Sequence, residues 1–306
     1  MLVIGGGPAG CSAAVTGYSL GISVKIIEKH LLGGQVREIE RISNLLGGPY
    51  IGKNLAATFS HQVEQYGIPI VYAEATSIKR QKEFWKVSCD NGEVIRAEII
   101  VVATGSRELR LDEHSLVSNV GKAHKDRYIY EVPFEDLMSK NVVVIGCDRV
   151  ILTLVASRGT KLKKARIKVL ALPDKWYVIE NEVQSLPFEV IKVSEILAVR
   201  TESSDRTTIE YIDQGGAASV INAELVLTNL SKVPNSNLFR GILEQDSDGY
   251  LSPKNYLSEA RPNTAYAVGD VAHKAFQRIS VAIGDGAYAA LDYFYGREQL
   301  YQSRVK

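Results

Sequence analysis

The segment LVIGGGPAG, Leu2 to Gly10, joins an apolar strand to a G-x-G-x-x-G loop with glycines at Gly5, Gly7 and Gly10. A run of small and apolar residues, CSAAVTGYSL, follows and suits a buried helix. Gly21 then leads into SVKIIE, a second strand that ends on Glu28. Each piece has a physical task. Gly5 permits a tight turn, Gly7 lets the backbone approach a pyrophosphate, and Gly10 lets the helix lie close to the strand. The helix start offers free N–H groups and a partial positive charge to phosphates. Glu28 falls about 20 residues beyond the loop, where a carboxylate can accept hydrogen bonds from a ribose. Strand, loop, helix and acid in register predict a nucleotide-binding βαβ unit.

A second strand-to-loop junction, VVVIGCDRVI from Val142 to Ile151, has the same beginning but keeps only Gly146. A chain of 306 residues accommodates two such units, since about 100–200 residues make a domain. Hydrophobic content of 45% and charged content of 23% are ordinary for a globular chain. The 36 basic and 35 acidic residues nearly cancel, which leaves no electrostatic case for nucleic acid or for a membrane surface. No apolar run approaches the roughly 18 residues of a membrane span. Met1 runs straight into a strand, so no signal peptide is expected. The three cysteines, Cys11, Cys89 and Cys147, are widely spaced and form no C-x-x-C, which fits a reducing cytoplasm. The histidines, His61 and His273 among them, show no metal-ligand spacing.

Further motifs follow the first unit: LLGGQVREIERISNLLGGPYIG, then IIVVATGSR, and near the C-terminus AYAVGDVAHKAFQRISVAIGDGAYAALDYF. Together they resemble the FAD-containing, low-molecular-weight thioredoxin reductases, over almost the whole chain. That family's G-G-Q has its counterpart in Gly33-Gly34-Gln35, and its E-N-x-P-G in the stretch from Ser43-Asn44 to Gly47. Its A-T-G strand end is Ala103-Thr104-Gly105. Its G-D is Gly269-Asp270, and its R-Q-A is replaced by Gln277-Arg278-Ile279. Pro8-Ala9 in the first loop also favour FAD over NAD.

The resemblance implies an α/β fold of two Rossmann-like, three-layer domains. Residues 1–110 and 237–306 would form a discontinuous FAD domain, and 111–236 an inserted NAD(P)-type domain. The return crossing is matched near Pro234-Asn235. FAD-contacting residues would be Gly5, Gly7, Pro8, Ala9, Gly10, Glu28, Lys29, Gly33, Gly34, Gln35, Asn44, Ala75, Ala103, Thr104, Gly105, Gly269, Asp270, Arg278, Ile279 and Ser280. Gly33 and Gly34 free the backbone to lie against a flat ring, and the Gln35 and Asn44 amides can meet its edge. Asp270 can take ribityl hydroxyls. The helix start near Ile279 and Ser280 directs its dipole towards a reduced ring. FWKVSCDNGEVIRAEII reads as a hairpin turning at Asp90-Asn91-Gly92.

The chain departs from this family at two places. Where the inserted domain should bind NADPH, Asp148 replaces the second glycine and Ile151 the third small residue. Two negative groups about 4 Å apart repel by roughly 1 kcal/mol in water and several times that when partly buried. The following strand should lead to H-R-R, yet offers Leu172-Pro173-Asp174 and a single Lys175, a poor match for paired guanidiniums. The C-A-x-C-D redox motif is overlaid by Lys122-Ala123-His124-Lys125-Asp126, and disulfide exchange needs a thiolate with a resolving partner. Cys147 at a helix start reads as a buried small side chain, as do Cys11 and Cys89.

These readings predict flavin electron transfer with a protein partner or a small molecule, without NADPH in the usual site. The basic run SRGTKLKKARIK (Ser157 to Lys168) offers a docking surface for an acidic electron-transfer protein such as a ferredoxin, or a solvated loop. An NAD(P)H-dependent reductase of ferredoxin or flavodoxin, and a non-catalytic FAD scaffold or sensor, remain alternatives. The family implies a homodimer. Catalytic residues are not assigned.

Overall fold

The computed structural model describes residues 1–128, 132, 134–147, 165–173, 176, 189–252, 254–255 and 265–305. The chain divides into two compact units, one of Met1–Arg107 with Val233–Lys306 and one of Glu108–Lys232. It is an α/β protein.

The first unit is built on a six-stranded sheet. Its order runs Lys254–Asn255, Ala265–Ala267, Ile100–Val102, Leu2–Ile4, Lys25–Glu28, Ile70–Tyr72. All pairs are parallel except the one made by Lys254–Asn255. The central strands are buried on both faces, which is why they read as unbroken apolar runs rather than alternating ones. On one face Val3, Ile26 and Val101 pack with Ala13, Ala14 and Ala289 of the helices. On the other, Leu2, Ile4 and Ile100 meet Ile78, Trp85 and Val87 of a three-stranded antiparallel meander, Ala75–Arg80, Trp85–Cys89 and Val94–Ala97. This meander contains the predicted hairpin: Gly92 has φ +85° and donates its N–H to the Cys89 carbonyl at 3.1 Å. Left-handed backbone suits glycine because no Cβ meets the carbonyl.

Small residues set how closely the helices pack. In the first helix, Pro8–Ser19, Ser12 donates its hydroxyl to the Ile283 carbonyl at 2.7 Å. Ile283 belongs to the C-terminal helix, Ile279–Val305. A Cβ on Gly286 would stand 2.1 Å from the Ala9 carbonyl oxygen, so glycine is required for this approach.

The second unit carries a seven-stranded sheet. Asn141–Ile145 pairs in parallel with Arg166–Ala171 and with Leu225–Thr228. The 15-residue strand Glu189–Ser203 continues the sheet. It then turns through irregular pairing onto antiparallel Arg206–Asp213, which pairs with Ala218–Ala223. One continuous sheet thus replaces a separate meander.

Candidate functional site

The first loop distributes its glycines between packing and open space. Gly5 has φ +103°, and a Cβ there would lie 2.3 Å from the Ala103 carbonyl oxygen. Its N–H donates to the Ile27 carbonyl at 2.8 Å, while the Ala103 N–H donates to Ile4 at 2.8 Å. The turn is therefore clamped between both neighbouring strands. A Cβ on Gly10 would lie 1.9 Å from the Gly5 oxygen, which holds the first helix hard against the loop. Gly7 differs, because a Cβ there meets nothing within 4 Å. Gly7 precedes the helix, Pro8 starts it, and no side chain caps it. An uncapped helix start beside open space suits a phosphate.

Glu28 is buried, 9% exposed. One carboxylate oxygen accepts the Gly6 N–H at 2.6 Å and the other the His30 N–H at 2.7 Å. Each oxygen keeps a lone pair for a further donor such as a ribose hydroxyl. The spacing of the motif assigns no role to Gly6. A Cβ there would meet Leu32 at 2.4 Å and Glu28 at 3.0 Å, so this glycine makes room for the acid. Lys29 pairs with Glu74 at 2.8 Å in an exposed bridge, and Ala75 opposes Cys89 in the meander.

For Gly33 and Gly34 the structure adds a packing reason to the ring contact expected from sequence. A Cβ on Gly33 would lie 2.4 Å from the Ala56 Cβ, and one on Gly34 would lie 3.1 Å from the Gly7 Cα. The Gly33 N–H donates to the Gly6 carbonyl at 2.7 Å. These two glycines seat one loop on the other. The Gln35 amide then donates to the Ser106 carbonyl, and the Ser106 hydroxyl donates to Asp270 at 3.3 Å. Ser106, 1% exposed, links two predicted residues, and no motif singles it out. Thr104 and Asn235 exchange hydrogen bonds at 2.7 and 2.9 Å, and the Asn235 N–H donates to Gly105 at 2.9 Å.

Gly269 has φ +71° and stands between the first and C-terminal helices, where a Cβ would lie 3.0 Å from the Ala9 Cβ and 3.4 Å from the Ala282 Cβ. Its N–H donates to Asp285 at 3.0 Å. Ile279 packs against Val36, Ile42 and Leu55. Arg278 is exposed and turns to the Gln277 carbonyl at 2.9 Å; Ser280 and Asn44 are exposed. The fold thus gathers the first loop, Glu28, residues 33–35, 103–106, Gly269-Asp270 and Ile279. The side chains of Lys29 and Arg278 are engaged elsewhere, by Glu74 and by the Gln277 carbonyl, Ala75 pairs within the meander, and Asn44 and Ser280 are exposed.

The second junction repeats the first up to its opening glycine. Gly146 has φ +90°, and a Cβ there would lie 2.4 Å from the Asn229 carbonyl oxygen. Its N–H donates to Leu170 at 2.8 Å, and the Asn229 N–H donates to Ile145 at 2.8 Å. Gly146, Leu170 and Asn229 thus stand where Gly5, Ile27 and Ala103 do. This register places Ala171 at the position of Glu28 and Cys147 at that of Gly6. Asp148, Ile151, Asp174, Lys175 and residues 157–164 of the basic run lie outside the described residues.

All three cysteines are buried thiols outside any disulfide. Burial, the leading cause, pushes the Cys11 thiol up to about 12 and raises that of Cys89. Both are therefore protonated at neutral pH and poor nucleophiles. Cys147 packs with Val132, Leu137 and Val144. In the stretch overlaid on the redox motif, Lys122 and Lys125 are exposed. His124 Nδ1 lies 3.3 Å from the Thr201 hydroxyl, and Asp126 accepts the Leu111 N–H at 3.3 Å. Among the described residues no cluster could hold a metal ion, and no helix is long and apolar enough to cross a membrane.

Residues 1–286 match the family model described as pyridine nucleotide-disulphide oxidoreductase. An NADH dehydrogenase of Bacillus subtilis (strain 168) is 25% identical over 303 residues, covering 96% of this chain and 58% of that protein. A component of the alkyl hydroperoxide reductase of Staphylococcus aureus (strain MRSA252) is 26% identical over 307 residues, covering 96% and 58%. The chain thus spans little more than half the length of these curated relatives. The fold is like that of the Lactococcus lactis thioredoxin reductase in its FR conformation, with TM-score 0.73, 19% identity and coverage of 96% and 97%. It is also like the T. acidophilum thioredoxin reductase, with TM-score 0.70, 21% identity and 97% coverage of both chains. With its two-unit α/β fold and a match over residues 1–286, this chain belongs to the pyridine nucleotide-disulphide oxidoreductase family, whose cofactor is FAD.

Proposed function

We propose that this chain is a flavin oxidoreductase that carries FAD in the unit of residues 1–107 and 233–306. In this reading it exchanges electrons with a protein partner or a small molecule, using neither a cysteine pair nor NADPH seated in the usual loop. One observation carries the proposal. The two nucleotide junctions share the same clamped turn at Gly5 and Gly146, but the first continues to Gly7 beside open space, where the second has Asp148.

The residues of the first unit fit the cofactor. Gly7 and the uncapped helix start would take the pyrophosphate. Glu28, fixed by two backbone donors, would orient the ribose hydroxyls. Asp270, held by Ser106, would receive a ribityl hydroxyl. The start of the C-terminal helix would place its positive dipole end near developing negative charge. Bound FAD supplies a ring that takes up and releases electrons singly or in pairs.

Among its described residues, the second unit differs from the first beyond the opening turn. The position of Glu28, the expected ribose acceptor, holds buried Ala171. In the first unit even a Cβ on Gly10 would come within 1.9 Å of backbone oxygen. Ile151, its counterpart by motif in the sequence, is far larger than glycine. In the sequence motif, Asp148 puts an acidic residue at the counterpart of Gly7, and like charge opposes a pyrophosphate. The cysteines supply no attacking thiolate, since two are raised by burial and the third is in a core.

An acidic electron-transfer protein such as a ferredoxin is the partner proposed, together with a cytoplasmic location and a homodimer. A second reading, a nicotinamide-dependent reductase, is favoured by the relative named NADH dehydrogenase. Anaerobic mixing separates the two. Flavin bleaching by reduced ferredoxin, but not by NADH or NADPH, supports the first reading. Rapid bleaching by either nicotinamide supports the second and removes the first.

A further inference from the structure

We infer that Asp285 is a positioning residue for the turn Gly269-Asp270, acting together with His273; the inference rests on the FAD reading of that turn. Asp285 lies on the C-terminal helix, and its Oδ2 accepts from two sides. It takes the Gly269 N–H at 3.0 Å and faces His273 Nε2 at 2.9 Å. A carboxylate oxygen can only accept, so Nε2 carries the proton, which fixes the imidazole's tautomer and plane. Both bonds gain from the carboxylate's charge.

The turn needs this hold. Gly269 is in left-handed backbone with Ala9 and Ala282 on either side, so no side chain of its own can anchor it. Asp270 follows at once, and its carboxylate is restrained by Ser106 at 3.3 Å. Asp285 therefore sets the angle at which Asp270 is offered to a ribityl hydroxyl, without itself touching the cofactor. Neighbouring groups leave the pair intact. Lys274 is engaged by Asp248 at 2.7 Å, and the Phe276 ring meets His273 edge-on at 6.4 Å between centroids.

The test measures FAD dissociation constants and visible flavin spectra of reconstituted wild type, Asp285→Ala, Asp285→Asn, His273→Gln and His273→Phe. Asp285→Ala should weaken FAD binding by roughly tenfold or more and alter the band shape. Asp285→Asn keeps the side-chain volume and safeguards folding, and should weaken binding in the same direction. His273→Gln retains an N–H donor and should bind as wild type does, whereas His273→Phe should not. A fold-wide defect would not be rescued by glutamine. Wild-type affinity and spectrum in both Asp285 variants would overturn the inference alone. Failure of the wild type to take up FAD would overturn the cofactor reading and the inference with it.

Discussion

Two alanine substitutions three residues apart should behave oppositely, because Gly10 answers to protein and Gly7 to ligand. At Gly10 the added Cβ would start 1.9 Å from the Gly5 oxygen and 3.0 Å from the Gly5 carbonyl carbon, both backbone atoms. Relief requires the first helix to retreat by about 1 Å, against the C-terminal helix that packs on it through Ala9 and Gly286. Overpacking of this kind costs roughly 1–3 kcal/mol, and an immobile backbone neighbour favours the upper end. Thermal unfolding of the FAD-free protein should therefore fall by roughly 3–10 °C in Gly10→Ala. At Gly7 the Cβ meets nothing within 4 Å, and φ is −71°, which any residue adopts. The small loss from alanine at a helix cap and the gain from a stiffer unfolded chain, each roughly 0.5–1 kcal/mol, nearly cancel. FAD-free Gly7→Ala should melt like wild type yet lose FAD affinity by roughly tenfold or more, since the methyl occupies the pyrophosphate approach. The assays are scanning calorimetry without cofactor and flavin fluorescence titration. Wild-type FAD affinity in Gly7→Ala, or wild-type melting in Gly10→Ala, would refute this division of labour.

Other expectations follow from the same contacts. Glu28→Ala strands the buried Gly6 N–H, at about 1–3 kcal/mol, and removes the acceptor of the His30 N–H; it should lower both FAD-free stability and FAD affinity, read by chemical denaturation and titration. Cys11 is more strongly protonated folded than unfolded, so its contribution is complete below its ordinary value of 9.0 and is lost as pH rises towards about 12. Stability should fall by roughly 1.4 kcal/mol per pH unit across that window, and Cys11→Ala should flatten the slope in denaturation curves. A variant with all three cysteines replaced by alanine or serine should keep its flavin and its turnover with any donor; loss of turnover with flavin retained would restore a thiol role.

Local signals wrote much of this architecture into the chain, and long-range contacts wrote the rest. The strand, loop and helix from Leu2 to Ser19 follow from glycine spacing, and Gly92 marks its hairpin because left-handed backbone is a local demand. Gly6 carries no such mark, since its need arises only when Glu28, 22 residues on, folds back against it. Asp285 and Ser106 are equally silent, each meeting its partner across the fold. Gly33 and Gly34 are legible as positions, but their packing role is not, because the atoms that exclude a side chain belong to Ala56 and Gly7. The long bent strand Glu189–Ser203 has no clear local signature either. Its alternating burial changes along its length, as one end joins a parallel sheet and the other an antiparallel one.

Counting bound nucleotides tests the asymmetry between the two junctions most directly. Calorimetric titration of cofactor-free protein should give one FAD per chain, and titration of the FAD-loaded protein with NADP+ or NAD+ should give no heat of binding. Saturable binding of either nicotinamide, one per FAD-loaded chain, would show the second cradle to be open. A chain that takes up no FAD would show the first to be closed.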